Sequence, residues 1–323
     1  MTASELRIVF MGAPVFAIPS LRALLNLRRD SAFHAKVVGV FTQPDRPAGR
    51  GKRLTAPPVK IEALNAGLSV FQPESLRSPE GLAMLETTAP DLIVVAAYAQ
   101  ILPRSILNLP RFGCINVHAS LLPLYRGASP VSGAIRDGRD ETGVSIMLME
   151  AGLDTGPILS QVRLPIADDD TAASLTTKLA ELGALELSAA IPPWINGEIQ
   201  PRPQDSSLAS MTRPLRKDDG RINWNLPADV IVRHTRAMFP WPGATTMAGG
   251  NLLKVLDAKS AALPAGLPAS PGTLRQQENG AIVVARDGAV RLLRVQPAGR
   301  KPMSGAEWLR GAPALSGAVL GDE

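Results

Sequence analysis

Two periods of apolar residues alternate along the first part of the chain. Leu6–Met11 is a short apolar run, followed by Gly12 and a helix-like stretch over Val15–Leu27. Lys36–Thr42 is β-branched and reads as a strand, Val59–Asn65 as a helix and Val70–Gln72 as a short strand. Asp91–Tyr98, DLIVVAAY, is the clearest buried strand, and Gly113–His118 and Thr142–Glu150 follow it. Ser174–Ala190 carries Leu and Ala at helical spacing. Strands alternating with helices imply right-handed crossovers. The expected fold is α/β, with a Rossmann-like, mostly parallel sheet covered by helices on both faces. In such sheets a ligand sits at the carboxyl ends of the strands.

The pattern then changes. Pro192–Pro203 is proline-rich, with Gly197 inside it, and reads as a linker. Asp229–Met238 is expected to be a helix. Beyond it, Leu252–Ala258, Ala281–Ala285 and Val290–Val295 are short strands broken by Gly and Pro, which suggests a small OB-like β-barrel. Ala261–Gly272 is Ala/Pro/Gly-rich and expected to be a mobile loop. The predicted organisation is a catalytic domain over 1–191, a linker over 192–208 and a C-terminal domain over 209–323. The length of 323 residues suits two domains.

Charge adds a distinction between them. Residues 1–204 carry 19 Lys+Arg and 19 Asp+Glu, whereas 205–323 carry 15 and 10, so the whole net charge of +5 lies in the C-terminal part. That excess is compatible with a polyanionic partner such as RNA, and equally with an ordinary solvated surface. No stretch of 18 apolar residues is present to cross a bilayer. The opening MTASELRIVFMG has no basic segment ahead of an apolar run and reads as a first strand. Cys114 is the single cysteine, so no internal disulfide forms, and the expected setting is reducing and cytoplasmic. One cysteine and three dispersed histidines make no metal-ligand cluster.

The candidate chemistry is concentrated in two places. Met11-Gly12-Ala13-Pro14 ends the first strand but lacks G-x-G-x-x-G, which argues against a dinucleotide. Ile115-Asn116-Val117-His118 puts an amide and an imidazole two residues apart, on one face at the end of a strand. Such a pair can polarise one carbonyl oxygen. A turn cap and a core histidine are the alternative. Asp154 lies between two glycines in Gly152-Leu153-Asp154-Thr155-Gly156, where the backbone can bend sharply towards a ligand or simply turn.

Taken in order, Asn-x-His, Ser120-Leu121-Leu122-Pro123, Arg126-Gly127 and Gly-Leu-Asp-Thr-Gly resemble the signature of folate-dependent formyltransferases. Within that superfamily, Phe41–Arg53 is similar to a loop of the methionyl-tRNA formyltransferases. So are Phe239-Pro240-Trp241-Pro242-Gly243 and Gln296–Met303. The likeness runs nearly end to end. It departs at Ala119, where that family commonly has Gly, and at Leu124-Tyr125, where it often has Arg-Trp.

The resemblance implies transfer of a formyl group from 10-formyltetrahydrofolate to the α-amine of initiator methionyl-tRNA, for translation initiation. Asn116 and His118 would be donors to an oxyanion, with Asp154 fixing the His118 ring or taking the amine proton through water. The turn Ser120, Leu121, Leu122, Pro123 would cradle the folate with its backbone groups and leucines. The loop at 42–57 has four basic residues, Arg46, Arg50, Lys52 and Arg53, with Asp45 opposing. Its Gly and Pro content predicts no regular element, and the resemblance sends it to the tRNA acceptor end. A monomer is expected, with no membrane partner. Two alternatives stay open: a formyltransferase for a small amine such as an amino sugar nucleotide, and an RNA-binding protein with an inactive formyltransferase domain.

Overall fold

A computed structural model describes residues 5–30, 34–48, 51, 53–263, 270–277 and 280–321. The chain forms two compact units that do not follow chain order. One comprises residues 1–127, 141–165 and 176–212, and the other 128–140, 166–175 and 213–323.

The first unit is built on a seven-stranded sheet. Its strands are β1 (Leu6–Gly12), β2 (Ala35–Phe41), β5 (Val70–Phe71), β6 (Leu92–Ala96), β7 (Cys114–His118), β9 (Glu141–Leu148) and β10 (Ile158–Pro165). Their order is β10-β9-β7-β6-β1-β2-β5. From β7 to β5 every neighbour is parallel, while β9 and β10 add an antiparallel pair at one side. β6 is buried at all five positions, as expected of a central parallel strand covered on both faces. The helices are α1 (Ile18–Asp30), α2 (Pro58–Asn65), α3 (Pro79–Glu86), α4 (Arg104–Leu107) and α6 (Ala172–Ile195). Cys114 on one face of β7 packs with Tyr98, Leu102 and Ile106. On the other face α6 comes so close at Gly183 that a Cβ there would lie 2.8 Å from Val117 and 3.3 Å from Val144.

Three features differ from the sequence reading. α6 runs on to Ile195, carrying Pro192 and Pro193 in its last turn, so the first four residues of the expected linker are helical. The rest of that stretch is fastened to the first unit: Arg202 and Ile158 exchange two backbone hydrogen bonds of 2.8 Å, and β11 (Met211–Thr212) pairs with β8 (Arg126–Gly127). The basic loop contains a small antiparallel ladder, β3 (Arg46–Ala48) with β4 (Arg53–Thr55), where no regular element was expected. Three residues on each side suffice, because the backbone alone makes the pairing.

The second unit holds α5 (Pro130–Arg136), α7 (Ala228–Met238), α8 (Gly305–Arg310) and an antiparallel sheet. The strands are β12 (Ala244–Ala248), β13 (Asn251–Ala261), β14 (Leu274–Gln277), β15 (Gly280–Val284), β16 (Ala289–Pro297) and β17 (Met303–Ser304). They run β12-β13-β16-β15-β14, with β17 on β16. The segment 317–321 bridges the two ends of this sheet. Thr273 pairs with Val319 beside β14, and Met247 of β12 pairs with Gly321, which closes the sheet in the manner of a small barrel. Trp224, Ile231, Leu253, Val283, Val295, Trp308 and Leu320 fill its interior. Residues 264–269 of the expected loop over Ala261–Gly272 lie outside the described residues, and Ala261 is the last residue of β13. No helix among the described residues is long and apolar enough to cross a membrane.

Candidate active site

The carboxyl end of β7 carries the predicted residues. Asn116 pairs in register with Val95 of β6 and Met147 of β9, and His118 with Ser145 of β9. The alternation of the strand puts Cys114, Asn116 and His118 on one face. Asn116 is half-buried, and its carboxamide makes no hydrogen bond among the described residues. A donor left free at a strand end in the first unit is suited to a ligand oxygen.

His118 is buried, at 6% exposure. Its Nε2 lies 3.0 Å from the carbonyl oxygen of Tyr125. A carbonyl can only accept, so Nε2 is the donor and the ring orientation is set there. Nδ1 then faces Asp154, whose Oδ2 is 3.7 Å away. That distance is an ion-pair distance, beyond hydrogen-bond reach. The Tyr125 carbonyl, which the sequence reading did not foresee, thus holds one ring nitrogen while Asp154 faces the other. Tyr125 has φ of 57°, in the left-handed region unusual for a bulky residue, and its N–H donates to Ser210 Oγ at 2.8 Å.

Asp154 also sits in the left-handed region, with φ of 52°. Aspartate tolerates that region better than most L-residues. Its Oδ2 accepts from the Gly127 N–H at 2.8 Å. Its own carbonyl accepts from Gln204 Nε2 at 2.8 Å, and Gln204 Nε2 also donates to the Gly156 carbonyl at 2.7 Å. The flanking glycines are required by space: a Cβ at Gly156 would overlap the Leu148 carbonyl oxygen, and one at Gly152 the Thr155 hydroxyl.

The turn over 120–123 is tied down from within. Ser120 Oγ donates to the Leu124 carbonyl at 2.6 Å, and the Ser120 carbonyl accepts from Ser145 Oγ at 2.6 Å. The Leu122 N–H donates to Ser145 Oγ at 3.0 Å, and the Leu122 carbonyl accepts from Gln161 at 2.9 Å. Leu122 packs with Met147 and Ile158, and Leu121 crowds against Gly143. Several of the turn's backbone groups are thus already engaged within the protein.

Of the basic residues, Arg46 pairs with Glu74 at 2.6 Å, and Arg53 is exposed with no side-chain partner among the described residues. Arg50 and Lys52 lie outside the described residues. Asp45 pairs with Lys60 at 2.8 Å. Hydrogen bonds from Gln72 and Lys60 hold its carboxyl below the ordinary aspartate range. Cys114 is buried, and desolvation pushes its thiol up to about 12, so it is no nucleophile. No three His, Cys, Asp or Glu side chains gather as a metal site among the described residues.

The sequence reading missed Ser145, Gln161, Gln204 and Ser210, which hold the two loops. Arg126-Gly127 was quoted only as part of a motif. Arg126 is buried at 5% exposure and donates from Nε and Nη2 to Gln204 Oε1, at 3.1 and 2.9 Å. A polar Gln beside Pro203 was the only local signal.

The formyl transferase family model matches residues 6–191, and the model for the formyl transferase C-terminal domain matches 214–313. The methionyl-tRNA formyltransferase of Chloroflexus aggregans is 48% identical over 311 residues, covering 96% of this chain and 98% of that protein. Among solved structures, an N-formyltransferase from Helicobacter canadensis, in complex with folinic acid and dTDP-3-aminofucose, aligns with a TM-score of 0.64. It is 17% identical and covers 91% of this chain and 100% of its own. HypX from Aquifex aeolicus aligns with a TM-score of 0.58 at 18% identity; the match covers 95% of this chain and 49% of HypX, so the chain spans about half of that protein. At these identities the two structures speak for the fold alone. On the family models and the near full-length likeness, the chain belongs to the methionyl-tRNA formyltransferase family.

Proposed function

We propose that the chain transfers the formyl group of 10-formyltetrahydrofolate to the α-amine of initiator methionyl-tRNA. The observation that carries this reading is the free Asn116 amide beside His118 and Asp154 at the carboxyl end of β7. The folate supplies a formyl carbonyl whose oxygen takes on negative charge as the amine adds to its carbon; collapse of that adduct breaks the bond to the folate nitrogen, which leaves with a proton. Asn116 donates to that oxygen, and His118, when both ring nitrogens carry protons, donates from Nδ1 while its Nε2–H stays on Tyr125. Donors fixed in advance stabilise developing charge without reorganising during the reaction. Asp154 Oδ1, which has no partner among the described residues, takes the amine proton through water while Oδ2 stays on Gly127.

The turn 120–123, held in shape by Ser145 and Gln161, lines the folate site. The basic stretch with Arg46, Arg50, Lys52 and Arg53 in its sequence meets tRNA phosphates, and the basic C-terminal unit adds a second electrostatic contact. The chain acts as a monomer. The test is formylation of methionyl-tRNA by the parent and by His118→Ala. A loss of about a hundredfold in kcat is expected; unchanged activity would remove His118 from the mechanism.

A further inference from the structure

We infer that Gln204 is a positioning residue for the reaction, acting through Asp154 from the segment between the two matched family stretches, 6–191 and 214–313. This rests on the formyl-transfer reading above.

Three observations converge on it. The Asp154 backbone is in a left-handed conformation, and the residue turns its carboxylate to Gly127 N–H and to within 3.7 Å of His118. A loop in that conformation persists only when its surroundings hold it. Gln204 supplies that hold, because one amide nitrogen donates to both the Asp154 and Gly156 carbonyls, at 2.8 and 2.7 Å. Those carbonyls bracket Thr155, so the side chain clamps the turn that follows Asp154.

Gln204 is itself fixed. Its Oε1 accepts twice from Arg126, whose Nη2 also reaches Ser206 Oγ at 3.3 Å. Arg126 precedes Gly127, the donor to Asp154, and both pair with β11. The loop at 120–127 and the loop at 152–156 are thus joined through one glutamine. Its two polar atoms have opposite duties: oxygen towards Arg126 and nitrogen towards the Asp154 turn.

That division gives a sharp test. Gln204→Glu has nearly the same shape and keeps an oxygen for Arg126, but replaces the donor nitrogen with an oxygen that repels both carbonyls. In the full chain, kcat for methionyl-tRNA is expected to fall by about 30-fold, since sub-ångström to ångström displacement of a catalytic group has effects of this order. KM for methionyl-tRNA is expected to stay within about threefold, because uniform binding is not touched. In an Asp154→Asn background the same substitution is expected to cost less than about threefold, because the two act as one unit. A purely structural residue would cost the same in both backgrounds. Gln204→Leu, which loses every polar contact, supplies a second cycle should the glutamate variant fold poorly.

The crystal structure of Gln204→Glu is the readout that needs no activity, and Asp154 is expected to leave the left-handed region. Parental kcat, full additivity with Asp154→Asn, or an unmoved Asp154 would each overturn the inference. A parent chain that transfers no formyl group, together with a shifted Asp154 in the variant, would instead sink the formyl-transfer reading and leave the positioning role intact.

Discussion

Gly127→Ala tests the link between fold and chemistry with the smallest possible change. Gly127 has φ of 102°, a conformation that L side chains rarely adopt. A Cβ there would overlap the Thr212 carbonyl oxygen and sit 3.2 Å from its carbon and 3.4 Å from Oγ1. Either β11 retreats or the Gly127 backbone turns, and turning removes the N–H from Asp154 Oδ2, now 2.8 Å away. Backbone strain of this kind costs about 1–3 kcal/mol. A hydrogen bond to a charged group contributes about 1.5–3 kcal/mol more. A combined destabilisation of about 2.5–6 kcal/mol, partly relieved by relaxation, lowers Tm by at least about 5 °C for a unit of this size. Displacing the Asp154 carboxylate by about 1 Å lowers kcat by about a hundredfold. The assay is steady-state formylation of methionyl-tRNA, paired with scanning calorimetry. An alanine variant with parental kcat and parental Tm would refute the claim that the Gly127 contact sets Asp154.

Further outcomes follow from other parts of the molecule. Asn116→Ala is expected to lose about a hundredfold in kcat, as for other oxyanion donors, while the fold is kept, which circular dichroism checks. Cys114, with its thiol pushed up to about 12, is expected to resist iodoacetamide at pH 8 in the folded chain and to react once the chain is unfolded in urea. The Arg213 guanidinium holds the Asp219 carboxyl down to about 2. A depressed carboxylate stabilises above its unfolded value of about 4, so the parent should melt above Asp219→Asn at neutral pH. That gap should close as pH falls from about 4 towards 2, and Tm measured against pH decides it. Arg53→Ala is expected to weaken methionyl-tRNA binding and to reduce the salt slope by about one, read from Kd at several salt concentrations.

The sequence announced the parts of this molecule whose burial follows a period. β6 is apolar throughout because both faces are covered, and α6 shows its stripe because Leu175, Leu179, Leu187 and Ile191 all turn inward. Asn116 and His118 were legible as a pair because a strand repeats every two residues. The β3–β4 ladder was not, since Arg, Pro and Gly carry no apolar pattern and the backbone alone makes it. The stretch after Ile195 looked like a linker because its residues are proline and polar. Its contacts with Tyr125 and Arg126 reach across 85 and 78 positions, and no local pattern encodes them. The second neighbour of the His118 ring was missed for a related reason: a backbone carbonyl has no signature in side-chain identity, so Asp154 was visible and Tyr125 was not.

The most direct measurement offers the parent chain 10-formyltetrahydrofolate with methionyl-tRNA in one reaction and an amino sugar nucleotide in another. The account predicts formylmethionyl-tRNA from the first, abolished by His118→Ala, and little product from the second. Faster formylation of the amino sugar, or no formylmethionyl-tRNA at all, would contradict it.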